Sequence, residues 1–194
     1  AAPNDPDMAR DRLLDAAEAC FERSGSSKTT VEDIAKQASV SRATVYRYFA
    51  GRDAVVSGVI LRATERYLER VRGRVEAQPD LGSAILEFVE VTVRAAHRDE
   101  TIALLFTSDD SLNSVGIIQG TSVALFEMVA EFLRPLFVTH SDEHRPGLPI
   151  DDATEWILRC ILSLLTVGGP KRRSREGLDT YLRRFLLPPI IADS

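Results

Sequence analysis

Between Lys36 and Arg52 the chain carries four cations, Lys36, Arg42, Arg47 and Arg52, and not one carboxylate. An arginine guanidinium can donate two parallel hydrogen bonds to O6 and N7 of a guanine or to a phosphate, and a methyl such as that of Ala43 can pack on a thymine methyl. Hydroxyls are interleaved with these cations at Thr44, Tyr46 and Tyr48, with Thr30 a little earlier. Such groups are ordinary donors to backbone phosphates. The chemistry on offer is recognition of a polyanion that carries bases. Net charge argues the other way, since 24 Lys/Arg against 29 Asp/Glu leave −5 over 194 residues. The distribution removes the conflict. Residues 1–52 hold eight basic and eight acidic side chains, most of those acids fall early (Asp5, Asp7, Asp11, Asp15, Glu18, Glu22), and the whole acidic excess lies after residue 52. Residues 36–52 are therefore a local cationic surface.

Three short helices must position these groups. Leu13, Ala17, Cys20 and Phe21 fall at helical spacing on one face, and Val31, Ile34, Ala35 and Ala38 repeat the pattern on a second helix. Ser24–Lys28, with Gly25, is a small-residue linker, and Thr30 with Asp33 three residues on reads as a capping box. Ser39 and Val40 form a turn, Ser41 caps a third helix ending near Phe49, and Gly51 breaks the chain after it. If Val45 faces the core, stepping by about 100° per residue keeps Ser41 and Phe49 on the buried side and sends Ala43 and Arg47 directly outward. Arg42 then occupies the first turn, the end that a recognition helix presents to base edges. Thr30, at the start of the second helix, is expected to hold a phosphate by hydroxyl and backbone donors, with Thr44, Tyr46, Tyr48 and Arg52 as further backbone anchors. Tyr46 has an alternative as a core aromatic with only its hydroxyl exposed.

Leu14, Ala17 and Phe21, then Gly25, then Thr29, Thr30, Val31, Ile34 and Ala35, then Ala38 to Ser41, and finally Thr44 to Tyr46, Tyr48, Phe49 and Arg52 follow one another in a recognisable order. Across residues 10–56 this resembles the DNA-binding domain of the TetR/AcrR family of transcriptional regulators, with its T-T-V-x-x-I-A, A-G-V-S and T-x-Y-x-Y-F pattern. Two positions depart from it: Ser39 replaces a glycine that tolerates positive φ, and Arg52 replaces lysine. The resemblance implies an all-α protein with an N-terminal three-helix helix-turn-helix domain at residues 1–52, residues 1–7 being disordered. A larger helical domain at 53–194 would bind an effector and dimerise.

The remainder supports a helical reading. A long amphipathic helix is expected from Asp53 to about Ala77, stopped by Pro79, and a second from the cap Asp80 to about Arg98. Glu100–Ser108 and Ser114–Val138 are further helices, the latter bent or ended by Pro135, and His140–Pro149 is a loop. The helix from Asp151 to Val167 has one narrow polar stripe (Asp152, Glu155, Arg159, Ser163, Thr166) and is apolar elsewhere, so it either sits centrally or meets a partner subunit. The last helix, capped by Ser174 and running to Leu187, places Leu178, Tyr181, Leu182, Phe185 and Leu186 on one face. The resemblance implies a homodimer through 151–167 and 174–187.

An effector pocket is expected among the middle helices, lined by Phe88, Thr92, Leu105, Phe106, Phe126 and Trp156, with Met128, Thr107 and Asn113 as further candidates. That composition favours an apolar or aromatic small molecule, while Glu87, Glu90, Asp109 and Asp110 leave room for a cationic one. Catalysis is disfavoured: there are three histidines, none near Cys20 or Cys160 in sequence, and no nucleophile elbow or phosphate loop. His97 or a cysteine would have to serve an enzyme; a structural adaptor would leave the cationic helix unexplained. His140 and His144 fall in a loop, so no metal or cofactor is implied. The two cysteines read as buried free thiols, and with no spanning segment a cytoplasmic location is expected. Double-stranded operator DNA is the expected partner, whether for repression or activation.

Overall fold

In the computed structural model the described residues are 6–98, 115–167 and 173–192, the side chains of 115–122 excepted. They form eight helices and no strand. Chain contacts divide them into two compact units, the first built from the described residues of 1–62 and 108–122 and the second from those of 63–107 and 123–194.

The first unit opens with α1 (Pro6–Ser24), whose leading proline sits where a missing N–H is harmless. Gly25 ends it at φ 79°. The helix α2 (Val31–Gln37) starts in the expected capping box: Thr30 Oγ1 accepts from Asp33 N, and the Asp33 carboxylate accepts from Thr30 N. It stops in a Schellman turn, with Ser39 N donating to Lys36 O at 3.1 Å and Val40 N to Ala35 O at 2.9 Å. That geometry needs a left-handed residue, and Ser39 supplies it at φ 55°. The helix α3 (Arg42–Tyr48) is capped by the Ser41 hydroxyl on Thr44 N. The helix α4 (Arg52–Glu76) begins in this unit. Leu13, Ala17, Cys20, Ile34, Ala35, Val45, Phe49, Val55, Val56 and Val59 form its buried interior. At Gly58 the packing admits no side chain, because a Cβ there would stand 2.9 Å from Leu14 Cδ2 and 3.2 Å from Phe49 Cε1.

The second unit contains the rest of α4, α5 (Leu81–Ala96, capped by Asp80), α6 (Val115–Thr139) from Val123 on, α7 (Ile150–Thr166) and α8 (Arg175–Phe185, capped by Ser174). Its core joins Tyr67, Val71 and Val75 to Ile85, Phe88 and Val89, to Leu133 and Phe137, and to Ile157, Ile161, Leu182 and Leu186. The helix α6 runs on through Pro135 instead of ending there. Pro135 and Glu131, whose carbonyl loses its donor, are both exposed, so water can replace the missing bond. The 140–149 loop is laced to the chain end by Arg145 N to Ile190 O and Ala192 N to Glu143 O, both 2.8 Å. The helix expected at 100–108 lies outside the described residues, as do residues 1–5; Pro6 and Asp7 are helical.

Candidate nucleic-acid interface

The orientation of α3 follows from two anchors. Val45 is fully buried and Phe49 nearly so, while Arg42, Ala43, Tyr46 and Arg47 are exposed and Thr44 and Tyr48 half-buried. Tyr46, at 49% exposure, lies outside the core. The outward arginines are held differently. Arg47 lies over the Tyr48 ring, 4.9 Å from its centroid, and its Nη2 donates to the Tyr48 hydroxyl at 3.3 Å. This restrains a flexible side chain before any partner arrives, which lowers the entropy lost on binding. Arg42 is only loosely drawn to Glu32, 3.8 Å away, with both side chains largely in water.

Thr30 and Arg52 are placed otherwise than the sequence suggested. The Thr30 hydroxyl donates its one proton to Asp33 Oδ2 at 2.7 Å and its N–H goes to the same oxygen, so both expected phosphate donors are already occupied. Those two bonds hold the Asp33 carboxyl below its usual pKa, chiefly through the Thr30 hydroxyl. Arg52 turns inward: Nε donates to Thr29 O at 2.8 Å, Nη2 to Ser26 O, and Nη1 to Asp53 at 3.4 Å. It fastens the α1–α2 linker to the start of α4. Periodicity assigns a residue to a face, but it does not reveal which cations the fold consumes.

Residues 13–59 match the sequence model of the bacterial regulatory proteins of the tetR family. The match covers the cationic helix and the two helices before it, so this segment is similar to the DNA-binding part of those regulators. An HTH-type transcriptional regulator of Mycobacterium tuberculosis H37Rv is 28% identical over 184 residues, spanning 94% of this chain and 85% of that one. The regulator UidR of Escherichia coli K12 is 24% identical over 126 residues, 64% of each chain. Among solved structures, Thermus thermophilus FadR, a TetR family transcriptional repressor in complex with lauroyl-CoA, shares the fold at TM-score 0.68 and 21% identity, with 95% of this chain and 97% of that one covered. The TetR family repressor AlkX from a Dietzia strain, implicated in biodegradation of n-alkanes, does so at TM-score 0.63 and 22% identity, with 95% and 99% covered.

Of the residues expected around an effector, Phe88, Thr92, Phe126 and Trp156 are among the described residues. Phe88 is fully buried against Phe132, ring centroids 5.3 Å apart. Thr92 is buried, its hydroxyl donating to Phe88 O at 2.7 Å and accepting from the Tyr67 hydroxyl at 2.8 Å. Burial pushes that phenol up to about 12. Phe126 is half-buried on α6, and Trp156, 39% exposed, faces the α7–α8 groove with its indole N–H on Leu186 O at 3.1 Å. Leu105, Phe106, Thr107 and Asn113 lie outside the described residues. Among the described residues a groove of about 520 Å³ opens between α4 and α6, lined by Leu68, Met128 and Phe132 with Glu65, Glu69, Arg72, Glu127 and Glu131. Sequence reading singled out only Met128 of these. The missed signal is the pair of i, i+4 glutamates on each helix. Of the carboxylates that left room for a cationic ligand, Glu87 is paired with Arg74, and the buried Glu90 with Arg94 at 3.3 Å and Arg175 at 3.0 Å; Asp109 and Asp110 lie outside the described residues.

His140 and His144 are used by the fold. His140 Nδ1 lies 3.1 Å from Glu143 Oε1, whose other oxygen accepts from Leu81 N at the start of α5. His144 packs edge-on against Phe137, and burial holds its imidazole below the usual value. Burial raises the pKa of the Cys160 thiol, and Cys20 is buried; both are free. No helix among the described residues is long and apolar enough to cross a membrane.

Proposed function

We propose that this regulator is a repressor that binds a palindromic operator as a homodimer in the bacterial cytoplasm, reads bases with α3, and is released by a small apolar or aromatic effector. The observation that carries the reading is the phase of α3: its buried side is apolar, and its water-facing side presents Arg42, Ala43 and a pre-oriented Arg47. Thr44, Tyr46 and Tyr48 flank them as phosphate donors. Thr30 and Arg52 would join only by exchanging internal bonds. Dimerisation is supported by α7 and α8, where Trp156, Leu162, Val167 and Phe185 stay exposed on an otherwise folded unit. The domain assignment, 1–52 for DNA and 53–194 for effector and partner, is kept with the first turns of α4 packing on the N-terminal helices.

The effector's class is inferred from an interior dominated by Phe, Leu, Ile and Val. Lauroyl-CoA, which a fold neighbour holds, is one compound to try alongside free fatty acids and alkanes. Titration onto the DNA upstream of the protein's own gene tests the whole reading. Arg47→Ala and Arg42→Ala should each reduce discrimination between that DNA and a random duplex by about 1–3 kcal/mol. Unchanged discrimination in both would remove α3 as the reading element, and transcription from the bound promoter rising instead of falling would make the protein an activator. An inducer must bind DNA-free protein more tightly than the complex, by the factor with which it weakens DNA binding. Calorimetry with and without operator reads that reciprocity.

A further inference from the structure

The first unit contains nine basic side chains from Arg10 to Arg62, and the fold divides them sharply. Arg10 donates to Tyr48 O and lies over the Phe49 ring, Arg23 is tied to Gln37 and Cys20, Arg52 clamps the linker, and Arg62 reaches Asp11, Asp15 and Glu18 at 3.8, 2.8 and 3.0 Å. These four are structural. Arg12 is exposed on α1 and makes no hydrogen bond or ion pair among the described residues. Its helical neighbours explain why. Met8, Ala9 and Ala16 at i−4, i−3 and i+4 are uncharged, and Asp15 at i+3 is held by Arg62. Arg62 thus gathers the acids of α1 on one flank and leaves Arg12 unneutralised on another.

That flank borders α3. Arg12 lines a cleft of about 50 Å³ together with Thr44, Arg47 and Tyr48, and no carboxylate takes part in its lining. Two guanidinium groups around one acid-free cleft, with hydroxyls between them, make a local positive potential that only an anion relieves. A phosphate matches the forked donors of Arg12, on the α1 side of the cleft. We propose that Arg12 is a DNA-backbone contact that holds one phosphate of the strand whose bases Arg47 and the rest of α3 read. The inference rests on the DNA-binding reading above and adds α1 to the interface.

The test is the salt dependence of binding to a short duplex of arbitrary sequence, for wild type, Arg12→Ala, Arg12→Lys and Arg23→Ala. Each neutralised phosphate contributes about 0.9 to the slope of log affinity against log salt. Arg12→Ala should therefore flatten the slope by about one and weaken binding about eightfold at 0.1 M salt, that slope being carried over a tenfold range of salt. The upstream DNA should lose as much as the random duplex. Arg12→Lys should keep the slope, and Arg23→Ala, whose cation is spent internally, should match wild type. Wild-type slope and affinity in Arg12→Ala would overturn the assignment, as would a loss confined to the upstream DNA, which would mean base reading. A melting point lowered in Arg12→Ala with an unchanged slope would show an internal role and overturn it too. Failure of wild type to bind any duplex would instead sink the DNA-binding reading itself.

Discussion

Replacing Arg52 with alanine should damage the fold and leave the DNA interface intact. Two of its donors go to carbonyls of Ser26 and Thr29, residues that are themselves buried, in a linker with few bonds of its own. The chief internal ones are Thr29 N to Ser26 O at 3.4 Å and the Thr29 hydroxyl to Gly25 O at 2.9 Å. A hydrogen bond from a charged donor contributes about 1.5–3 kcal/mol, so two would give at most roughly 6 kcal/mol. The arginine side chain is 22% exposed, which lets water replace part of that, and the pair with half-exposed Asp53 adds little. A net loss of about 2 kcal/mol follows, or roughly 4–8 °C in the melting temperature of a chain this long. Thermal unfolding followed by circular dichroism measures it. Binding well below the transition, across several salt concentrations, should show the wild-type slope. An unchanged melting temperature together with a slope reduced by about one would refute the reasoning and restore Arg52 as a phosphate anchor.

Ser39→Gly should stabilise the protein by about 0.5–1 kcal/mol, since relief of a left-handed residue exceeds the extra freedom glycine gives the unfolded chain; chemical denaturation yielding a loss would show that the serine side chain contributes something the turn geometry does not require. Tyr67 holds its proton more tightly folded than unfolded, so its contribution is complete below pH 10, where the free phenol ionises, and is lost as pH rises through about 12. Tyr67→Phe should flatten the alkaline fall in stability over that window, which pH-dependent melts will detect; an identical fall would place its origin elsewhere. Phe185→Glu, at a side chain 54% exposed, and Leu162→Glu, at one 41% exposed, should convert a dimer to monomer in sedimentation at micromolar concentration, without lowering helix content; a monomeric wild type that still binds a palindrome ends the dimer proposal.

Local signals were the legible ones. Thr30, Ser41, Asp80 and Ser174 each cap the helix that follows, because a cap needs only a short polar side chain beside its own backbone. Val45 alone gave the facing of Phe49, Ala43 and Arg47, but Ser41, placed on the buried side by the same stepping, is exposed because as the cap it lies outside the helix that the stepping describes. Bonds across the sequence were not legible. Arg52 reaches back to Thr29 and Ser26, and Arg62 to three acids of α1, and nothing in helical periodicity marks an arginine as spoken for. Periodicity is equally silent on what a buried apolar side chain meets. An aromatic at helical spacing can face a cavity or a neighbouring helix, and for Phe88 the neighbour was Phe132.

The double pairing of Glu90 has a consequence for how this surface can change over generations. A carboxylate at 8% exposure is costly when stranded, and breaking a lone buried pair typically removes 3–5 kcal/mol. Here Arg94, one turn along on α5, would still neutralise it if Arg175 were lost. Arg175 itself is 70% exposed at the first turn of α8. The outer partner is thus free to drift while the inner one keeps the charge satisfied. Substitutions at the start of α8, beside the surface assigned to a second subunit, can accumulate without unfolding the protomer, and partner choice can diverge between duplicated copies while the fold stays the same.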